Sequence, residues 1–298
     1  MSDNNISLTV LTPTYNRVDR LPLLYQSLLE QSDDNFQWLV IDDGSKDGTR
    51  DYFNTIDKSR ITIDYYFKEN GGKHTAINYA IPYIKGNLVV FVDSDDTLTP
   101  DAVETIKRDW IKYFQDEKIA VISYMKQHSD GTPMSPLPPY DYYTNDDISY
   151  RVNHKIPGDR CEVLRTSVLK QYRFPTFKNE KFMSEGWLWR RISLNSLFVY
   201  RTKAIYTCEY LEGGLTKSGR AFRMKNPYGM IENCKSYFLP QVKMSVQIKE
   251  MILLQIYSNC AGISFKDKIL CSPHHIWMII LTLPCMAITA NWRIKYKI

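Results

Sequence analysis

Three aspartates within four residues carry the strongest chemical signal in the chain. Asp93, Asp95 and Asp96 stand in the string DSDD, directly after a continuous apolar run at 88–92. Carboxylates this close repel one another unless a positive group lies among them. Clusters of oxygen ligands suit Mg2+ or Mn2+, which bind one or two carboxylates and complete their shells with phosphate oxygens and water. The string therefore predicts a divalent-cation site, although Asp96 can also be read as a cap of the next helix.

A second cluster, DDGS at 42–45, follows another apolar run and could bind the base of a nucleotide. The carboxylate of Asp43 can accept an N–H group from the edge of a nucleobase. Tyr15, in the string TPTYNR at 12–17, can stack on that base. Two simpler readings stay open, namely an ordinary turn at 42–45 and a Tyr15 ring that packs on the surface without a ligand.

The elements that must position these residues alternate between strand and helix over the first hundred residues. Apolar runs predict strands at 7–12, 36–41 and 88–92, and alternating residues predict a strand at 61–67. Helical spacing and helix-start signals predict helices at 17–30, from 47, at 74–84 and from 100. This alternation predicts a mostly parallel sheet with helices on both faces, and ligands of such sheets bind beyond the carboxyl ends of the strands. The strings that follow the four strands, TPTYNR, DDGS, KENGG and DSDD, should therefore meet at one edge.

Glycine placement excludes several nucleotide-binding classes that share this alternation. The first glycine is Gly44, so the first strand is not followed by the GxGxxG string of a dinucleotide fold. The sequence also lacks the GxxxxGK[ST] string of a P-loop. These absences argue against nicotinamide-dependent dehydrogenases and P-loop NTPases. The same lack of a glycine-rich first loop argues against sugar nucleotidyltransferases.

Charge and cysteine usage limit the partners and the compartment. Residues 1–100 carry 9 basic and 15 acidic side chains, whereas residues 101–298 carry 29 and 18. A basic second half can face phosphate groups or an anionic membrane, and it contains no module that predicts nucleic-acid binding. The six cysteines form no CxxC pair, and the first residues lack the pattern of a signal peptide. We therefore expect free thiols in the cytoplasm.

Four strings together resemble the family 2 glycosyltransferases with a GT-A fold. They are TPTYNR (12–17), VIDDGSKDGT (40–49), NGGKHTAIN (70–78) and FVDSDDTLTP (91–100), in the family's order and spacing. GDR (158–160) and YLEGGLT (210–216) are similar to segments of the bacterial capsule and exopolysaccharide members. The resemblance implies an α/β fold of the nucleotide-diphospho-sugar transferase type. That fold has a mostly parallel central sheet flanked by helices, here with a helical C-terminal extension.

The resemblance also implies roles for individual residues. The positions that match the family's donor-binding residues are Pro13, Tyr15 and Asp43 at the nucleobase, Asn70 and Lys73 near the nucleoside, and Asp93 and Ser94 toward the ribose and the metal. The metal ligand is Asp95, and the implied metal is Mn2+ or Mg2+. Glu185, in KFMSEGWLW (181–189), matches an acidic motif at a helix start that carries the general base. Many relatives have two acids there, whereas Gly186 takes the second place in this chain; Glu185 can also be read as a helix N-terminal charge.

The function that follows is a metal-dependent, inverting transfer of a hexosyl or N-acetylhexosaminyl group. The donor is a nucleotide-diphosphate sugar, with UDP favoured, and the acceptor is a hydroxyl of a glycan or lipid-linked sugar in bacterial surface polysaccharide synthesis. The alternative is a catalytically inactive sugar-nucleotide or glycan-binding partner of an active transferase. We expect a GT-A domain over 1–225, with a nucleotide-sugar half at 1–125 and an acceptor half at 126–225, followed by a helical region at 226–298.

Two segments of the second half of the sequence could bind ligands or a membrane. Residues 213–229 are predicted to form a basic loop. This loop is either a lid that meets the donor diphosphate or the phosphate of a lipid carrier, or a solvated loop. Residues 276–290 are apolar but shorter than the roughly 20 residues of a spanning helix. Pro284 interrupts this run, Trp277 and Trp292 flank it, and basic residues follow. We expect a helical hairpin peripheral to the inner face of the cell membrane, and the alternative is a buried core helix.

Overall fold

The computed structural model describes residues 6–208 and 215–297. Within these residues, nine strands form one sheet. The strands are β1 (Leu8–Thr14), β2 (Phe36–Asp42), β3 (Thr62–Phe67), β4 (Leu88–Phe91), β5 (Thr97–Leu98), β6 (Ile119–His128), β7 (Tyr143–Asn145), β8 (Arg160–Arg165) and β9 (Leu197–Cys208).

Twelve α-helices lie in the described part of the chain. The first six are α1 (Leu21–Leu29), α2 (Thr49–Thr55), α3 (Lys73–Ala80), α4 (Ala102–Tyr113), α5 (Thr166–Leu169) and α6 (Gly186–Ser193). The others are α7 (Leu215–Met224), α8 (Pro227–Lys235), α9 (Met244–Cys260), α10 (Phe265–Leu270), α11 (His275–Ile280) and α12 (Thr282–Tyr296). A 3-10 turn at Ile81–Tyr83 and a π-helical turn at Ile148–Val152 complete the helical segments.

The sheet is parallel where the sequence alternates strand and helix. Its order is β3-β2-β1-β4-β8-β6-β9-β5, with β7 paired to β9. The first four strands are parallel, in a register that sets Leu8 beside both Phe36 and Leu88. β8 runs antiparallel to β4 and β6, while β6 and β9 are parallel again. Because the first four strands point the same way, their carboxyl ends share one edge, as the sequence predicts.

The core follows from the apolar strands. β1 and β2 are buried along their whole length, because helices cover both faces of a parallel sheet. Trp38, Phe53 and Trp110 are among the largest fully buried side chains of the described residues. Burial of a side chain such as Phe53 contributes roughly 1.5–3 kcal/mol to folding. The buried strands are therefore a rigid base for the loops at their ends.

The chain divides into two compact units. The first contains Met1–Asp146, Ile156–Arg173 and Ile192–Glu209, and the second contains Asp147–Lys155, Phe174–Arg191 and Tyr210–Ile298. The second unit has its own apolar core around α8, α9 and α12, with Cys234, Met251 and Met278 fully buried. The predicted boundary at residue 225 and the two predicted halves at 1–125 and 126–225 stay predictions.

The second unit differs from the sequence prediction in two segments. Residues 213–229, expected as a loop, contain α7 and the start of α8. Gly219 breaks the regularity of α7 (φ 57°, ψ −137°), and Pro227 begins α8, where a missing N–H costs nothing. The apolar run at 276–290 is interrupted at Leu281 rather than at Pro284. Pro284 lies in the first turn of α12, whose N–H groups have no partner within the helix in any case.

In the segments that the structure describes, every helix is too short or too polar to cross a bilayer.

Candidate functional site

The loops after β1 and β2 are joined by hydrogen bonds at the carboxyl edge of the sheet. The N–H of Asp43 donates to the carbonyl of Thr14 (2.8 Å), and the N–H of Asn16 donates to Ser45 Oγ (2.9 Å). In the opposite direction, the N–H of Lys46 donates to Asn16 Oδ1 (2.8 Å). Asn16 adopts a left-handed backbone conformation (φ 50°), which Asn tolerates better than most residues. TPTYNR and DDGS therefore form one surface, as predicted.

Asp43 binds the loop that follows β3. Its buried carboxylate accepts hydrogen bonds from Lys68 Nζ (2.5 Å), from the N–H of Gly71 (3.0 Å) and from the N–H of Gly72 (2.6 Å). Asn70 Nδ2 adds a longer contact to the same carboxylate (3.2 Å). A carboxylate has about four lone-pair positions, so these donors fill it. A nucleobase N–H would have to replace one of them, and the nucleobase role of Asp43 stays a prediction.

Gly44 permits the close approach of these two loops. Its φ is +87°, and a Cβ atom there would lie 2.8 Å from the backbone nitrogen of Asn70. Asn70 in turn donates from Nδ2 to the carbonyl of Asp43 (2.7 Å). The glycine of DDGS is therefore required by backbone conformation and by space.

The aspartates of DSDD lie beside two cationic side chains from other loops. Lys73, the first residue of α3, forms an ion pair with Asp93. Arg17 lies with its Nε 3.6 Å from Asp95 Oδ2. Burial alone would raise the pKa of Asp93, but the ammonium groups of Lys73 and Lys126 hold that pKa below its ordinary value. The positive groups that these clustered carboxylates require are thus present, supplied by the loop after β1 and by the start of α3.

Asp96 forms hydrogen bonds with β9 and does not cap the next helix. It is 9% exposed and accepts hydrogen bonds from Tyr206 Oη (2.7 Å) and Cys208 Sγ (3.4 Å), both on β9. Burial, followed by the charge of Asp93, raises the pKa of Asp96 to about 6. The residue that precedes α4 is Asp101. The reading of Asp96 as a helix cap is therefore wrong.

The DSDD carboxylates fit a divalent cation that shares its shell with a diphosphate. No group of three or more His, Cys, Asp or Glu side chains with metal-binding geometry occurs in residues 6–208 and 215–297. Mg2+ and Mn2+ in phosphate sites need only one or two carboxylates from the protein. Asp93 and Asp95 supply that number, and the cations of Lys73 and Arg17 now occupy their oxygens.

The remaining residues predicted for the donor have distinct environments. Tyr15 is 45% exposed, directly after β1, so its ring is accessible. Pro13 is buried near the end of β1, where it pairs in register with Ile41. Ser94 is also buried, inside the DSDD loop. Their contacts with a nucleotide stay predictions.

Glu185 belongs to the second unit and directly precedes α6. Its carbonyl accepts the N–H of Leu188 (2.8 Å). The preceding residues are attached to α8, because Glu180 accepts the N–H groups of Tyr228 and Gly229 (both 2.8 Å). Glu185 therefore stands at a helix start, where the resemblance predicts the general base.

Arg190 leaves little space for a side chain at position 186. A Cβ atom at Gly186 would lie 2.8 Å from one terminal nitrogen of Arg190. That guanidinium is buried, donates to Ser236 Oγ (2.8 Å) and Asn233 Oδ1 (2.6 Å), and lies 3.7 Å from the ring centre of Tyr237. A residue larger than glycine at 186 would displace a well-anchored side chain.

Sequence reasoning missed four residues that contact the site: Arg17, Lys68, Lys126 and Tyr206. Arg17 and Lys68 lie inside recognised strings, but their types alone do not name their partners. Tyr206 is 113 residues from Asp93 along the chain, so no local spacing relates them. GDR (158–160) contributes Arg160, which donates to Ser123 Oγ (2.9 Å) and to the carbonyl of Arg201 (2.6 Å) inside the sheet. Residues 210–214 of YLEGGLT lie outside the described residues.

The parallel sheet, the loops at its carboxyl edge and the DSDD cluster define a GT-A type nucleotide-sugar transferase fold, and comparison with known proteins supports this. The family described as "Glycosyl transferase family 2" matches residues 9–173, just over half of the chain. The chain belongs to glycosyl transferase family 2. The predicted family and fold class are both confirmed.

Curated relatives are bacterial glycosyltransferases. Glycosyltransferase GlyA of Streptococcus pneumoniae is 28% identical over 220 residues, which cover 70% of this chain and 31% of GlyA. TuaG of Bacillus subtilis, whose name assigns it to teichuronic acid biosynthesis, is 33% identical over 131 residues, 43% of this chain and 50% of TuaG. The chain therefore matches 31% of the length of GlyA and 50% of the length of TuaG.

Two solved structures share the fold. Staphylococcus aureus TarS in complex with UDP-GlcNAc has a TM-score of 0.63 and 20% identity, over 91% of this chain and 83% of that one. A mannosyltransferase from Pyrobaculum calidifontis, in complex with GDP-Man and Mn2+, has a TM-score of 0.57 and 16% identity, over 97% and 84%. At these identities the likeness establishes the fold.

Proposed function

We propose that this chain is a metal-dependent, inverting glycosyltransferase of bacterial surface polysaccharide synthesis. It transfers a hexosyl or N-acetylhexosaminyl group from a nucleoside diphosphate, with UDP favoured, to a hydroxyl of a glycan or lipid-linked sugar. Family membership, the biosynthetic role in the name of TuaG and the UDP-GlcNAc bound by TarS support this proposal.

One observation carries the proposal: cationic side chains from the loop after β1 and from the start of α3 pair with the carboxylates of DSDD. Lys73 contacts Asp93, and Arg17 lies beside Asp95. A site with carboxylates and cations side by side suits a diphosphate that arrives with a divalent cation. The carboxylates are attracted to the metal, and the freed ammonium and guanidinium groups can bind phosphate oxygens.

Asp95, with Asp93 beside it, would hold the Mn2+ or Mg2+. When bound, this cation supplies positive charge that stabilises the departing diphosphate. The mannosyltransferase solved with Mn2+ supports this part of the proposal. Pro13, Tyr15 and Asp43 hold the nucleobase, and Asn70 and Ser94 bind the adjoining part of the donor, as the family resemblance implies.

Glu185 acts as the general base. Its carboxylate takes the proton of the acceptor hydroxyl while that oxygen attacks the anomeric carbon. The bond to the diphosphate oxygen breaks in the same displacement, so the configuration at the anomeric carbon inverts. With Gly186 beside it, Glu185 is the only acid of this motif that can take the proton.

Glu185→Gln tests the proposed reaction. The variant should lower turnover at least a hundredfold, because the amide cannot accept the proton, while nucleotide binding stays near the wild-type level. A panel of UDP-, GDP- and dTDP-sugars with Mn2+ would be assayed for release of the nucleoside diphosphate.

Glu232→Gln is the matched control, since it makes the same change on α8, where the carboxylate pairs with Lys235. We expect this control to turn over like the wild type. Turnover of Glu185→Gln at close to the wild-type rate would exclude Glu185 as the base.

A second candidate is a catalytically inactive sugar-nucleotide or glycan-binding partner. Gly186 and the anchored Arg190 favour it, because they leave a single acid in the motif. The same panel separates the two candidates. An inactive partner would bind a nucleotide and release no nucleoside diphosphate from any donor.

We also propose that the enzyme works as a peripheral protein on the cytoplasmic face of the membrane, where lipid-linked acceptors are found. Of the 18 large hydrophobic side chains exposed in the described residues, nine lie between Phe265 and Ile294. No acidic residue follows Asp267, whereas Lys268, Arg293 and Lys295 do. Exposed apolar side chains bordered by basic ones fit the surface of an anionic bilayer.

A further inference from the structure

A single hydroxyl group holds both ends of the DSDD loop. Tyr206, on β9, is fully buried, and its Oη accepts the N–H of Asp93 (3.0 Å). The same Oη donates to Asp96 Oδ2 (2.7 Å). Burial and the charges of Asp93 and Asp96 raise the pKa of Tyr206 well above its ordinary value, so the hydroxyl keeps the proton that it donates.

The ammonium group of Lys126 lies over the face of the Tyr206 ring, in a cation–π contact. The two residues are neighbours in register on β6 and β9, and Lys126 Nζ lies 3.9 Å from the centre of the ring. Burial alone would lower the pKa of Lys126, but the Asp93 carboxylate raises it above the ordinary value. The ammonium is therefore charged and attracted both to the ring and to Asp93.

These contacts connect the sheet to the loop at the two residues that flank Ser94 and Asp95. A loop fixed at both ends needs less ordering when a ligand binds, so affinity rises without any new contact to that ligand. Neither Tyr206 nor Lys126 belongs to the strings that carry the family resemblance.

We propose that Tyr206, supported by Lys126, is a positioning residue that keeps Asp93 and Asp95 oriented for a divalent cation and a nucleoside diphosphate. The proposal rests on the proposed function for the identity of the ligand. The holding role itself can be measured in the ligand-free chain.

Hydrogen exchange in the ligand-free chain tests the holding role. Tyr206→Phe keeps the ring but removes the hydroxyl, and the amides of residues 92–97 should exchange about tenfold faster. Tyr124→Phe is the matched control, because it removes a fully buried hydroxyl that donates to a different carboxylate, Asp109 (3.2 Å). Unchanged exchange at 92–97 in Tyr206→Phe would overturn the proposal.

Lys126→Met is a second variant for the case that loss of the buried hydroxyl unfolds the chain. It removes the cation from the ring face while keeping an apolar side chain of similar length. The exchange rate of the amides at 92–97 should again increase. The increase should be smaller than in Tyr206→Phe, which loses both hydrogen bonds of the hydroxyl. Wild-type exchange in this variant would contradict the supporting role of Lys126.

Calorimetry then tests the consequence for binding. The probe is whichever of UDP, GDP, dTDP and CMP stabilises the wild-type chain with Mn2+. Tyr206→Phe should raise its Kd in Mn2+ about tenfold, while Tyr124→Phe leaves it unchanged. An equal Kd in all three proteins would contradict the positioning role. A wild-type chain that binds none of the four contradicts the proposed function instead, and the exchange experiment still decides the role of Tyr206.

Discussion

Asp43 holds the loop that follows β3, and the proposed nucleobase contact would compete for the same oxygens. In the ligand-free structure its carboxylate holds Lys68, Gly71 and Gly72, and so fixes the loop before α3. The Lys68–Asp43 pair is poorly accessible, with side chains 15% and 4% exposed. Breaking such a pair leaves a charge without a partner where water solvates it poorly, which costs more than the pair itself contributes.

Asp43→Asn should therefore lower the free energy of unfolding by about 3 kcal/mol, measured by chemical denaturation of the ligand-free chain. The amide keeps the shape of the side chain but leaves the Lys68 ammonium without its counterion. Asp101→Asn is the control, because the Asp101–Lys203 pair is 45% and 40% exposed and should contribute at most about 1 kcal/mol. Equal losses in the two variants would show that Asp43 does not hold the loop.

At this scale the sequence predicts the types of residues in the site but not their partners. The repulsion among Asp93, Asp95 and Asp96 predicts that cations must be near, and Lys73 and Arg17 meet that need. Lys126 and Tyr206 could not be foreseen, since they lie on strands whose order in the sheet is not encoded locally. The helix-cap reading of Asp96 failed because Tyr206 supplies a buried donor that only the fold brings there.

At the scale of elements, the first hundred residues were predictable because each strand is a short, mostly apolar segment between polar turns, continuous at 88–92 and alternating at 61–67. The predicted strands at 7–12, 36–41, 61–67 and 88–92 correspond to β1 to β4, with ends within two residues. Burial on both faces of a parallel sheet produces the continuous run of β4, whereas β3 lies at the edge of the sheet and is only partly buried. The convergence of the four loops followed from the common direction of the strands.

The later elements were harder to predict because tertiary contacts decide them. Basic and glycine-containing residues at 213–229 favour a loop locally, yet α7 and α8 form there. α8 packs against α9 in the core of the second unit, and this burial outweighs the local preference. The general-base motif was recognisable at the start of α6, but the reason for Gly186 was not, because Arg190 is anchored by residues more than forty positions away.

At the scale of the whole molecule, exposed apolar surface is concentrated at one end of the chain. Ile276 and Leu283 are 74% and 77% exposed, whereas Met278 and Cys285 between and beside them are fully buried. α11 and α12 thus have an inner face in the core of the second unit and an outer apolar face. A second copy of the chain is a poor occupant of that face, since a two-fold contact would bring its basic residues together.

The double variant Ile276→Gln, Leu283→Gln tests the membrane proposal. The wild-type chain should sediment with vesicles of phosphatidylglycerol and phosphatidylcholine, less so at high salt, because both apolar burial and charge contribute. The variant should bind these vesicles at least about tenfold more weakly, since two apolar side chains no longer insert.

The control for this experiment is Leu23→Gln with Ile111→Gln, which removes two apolar side chains of comparable exposure from α1 and α4. It should bind vesicles like the wild type. Equal binding by the two double variants would contradict the proposed surface. A dimer that dissociates only in Ile276→Gln, Leu283→Gln, with no vesicle binding by the wild type, would assign the face to a second copy.

The most direct test of the account is nucleotide-dependent thermal stability with and without Mn2+. UDP, GDP, dTDP and CMP would each be added to the wild type, to Asp95→Ala and to the control Asp101→Ala. We predict that one nucleotide, with UDP favoured, raises the Tm of the wild type and the control by about 5 °C at a concentration near 100 times its Kd, and only with Mn2+. Asp95→Ala should lose that rise. No stabilisation of the wild type by any nucleotide, or the same rise without metal and without Asp95, would contradict the proposed donor site.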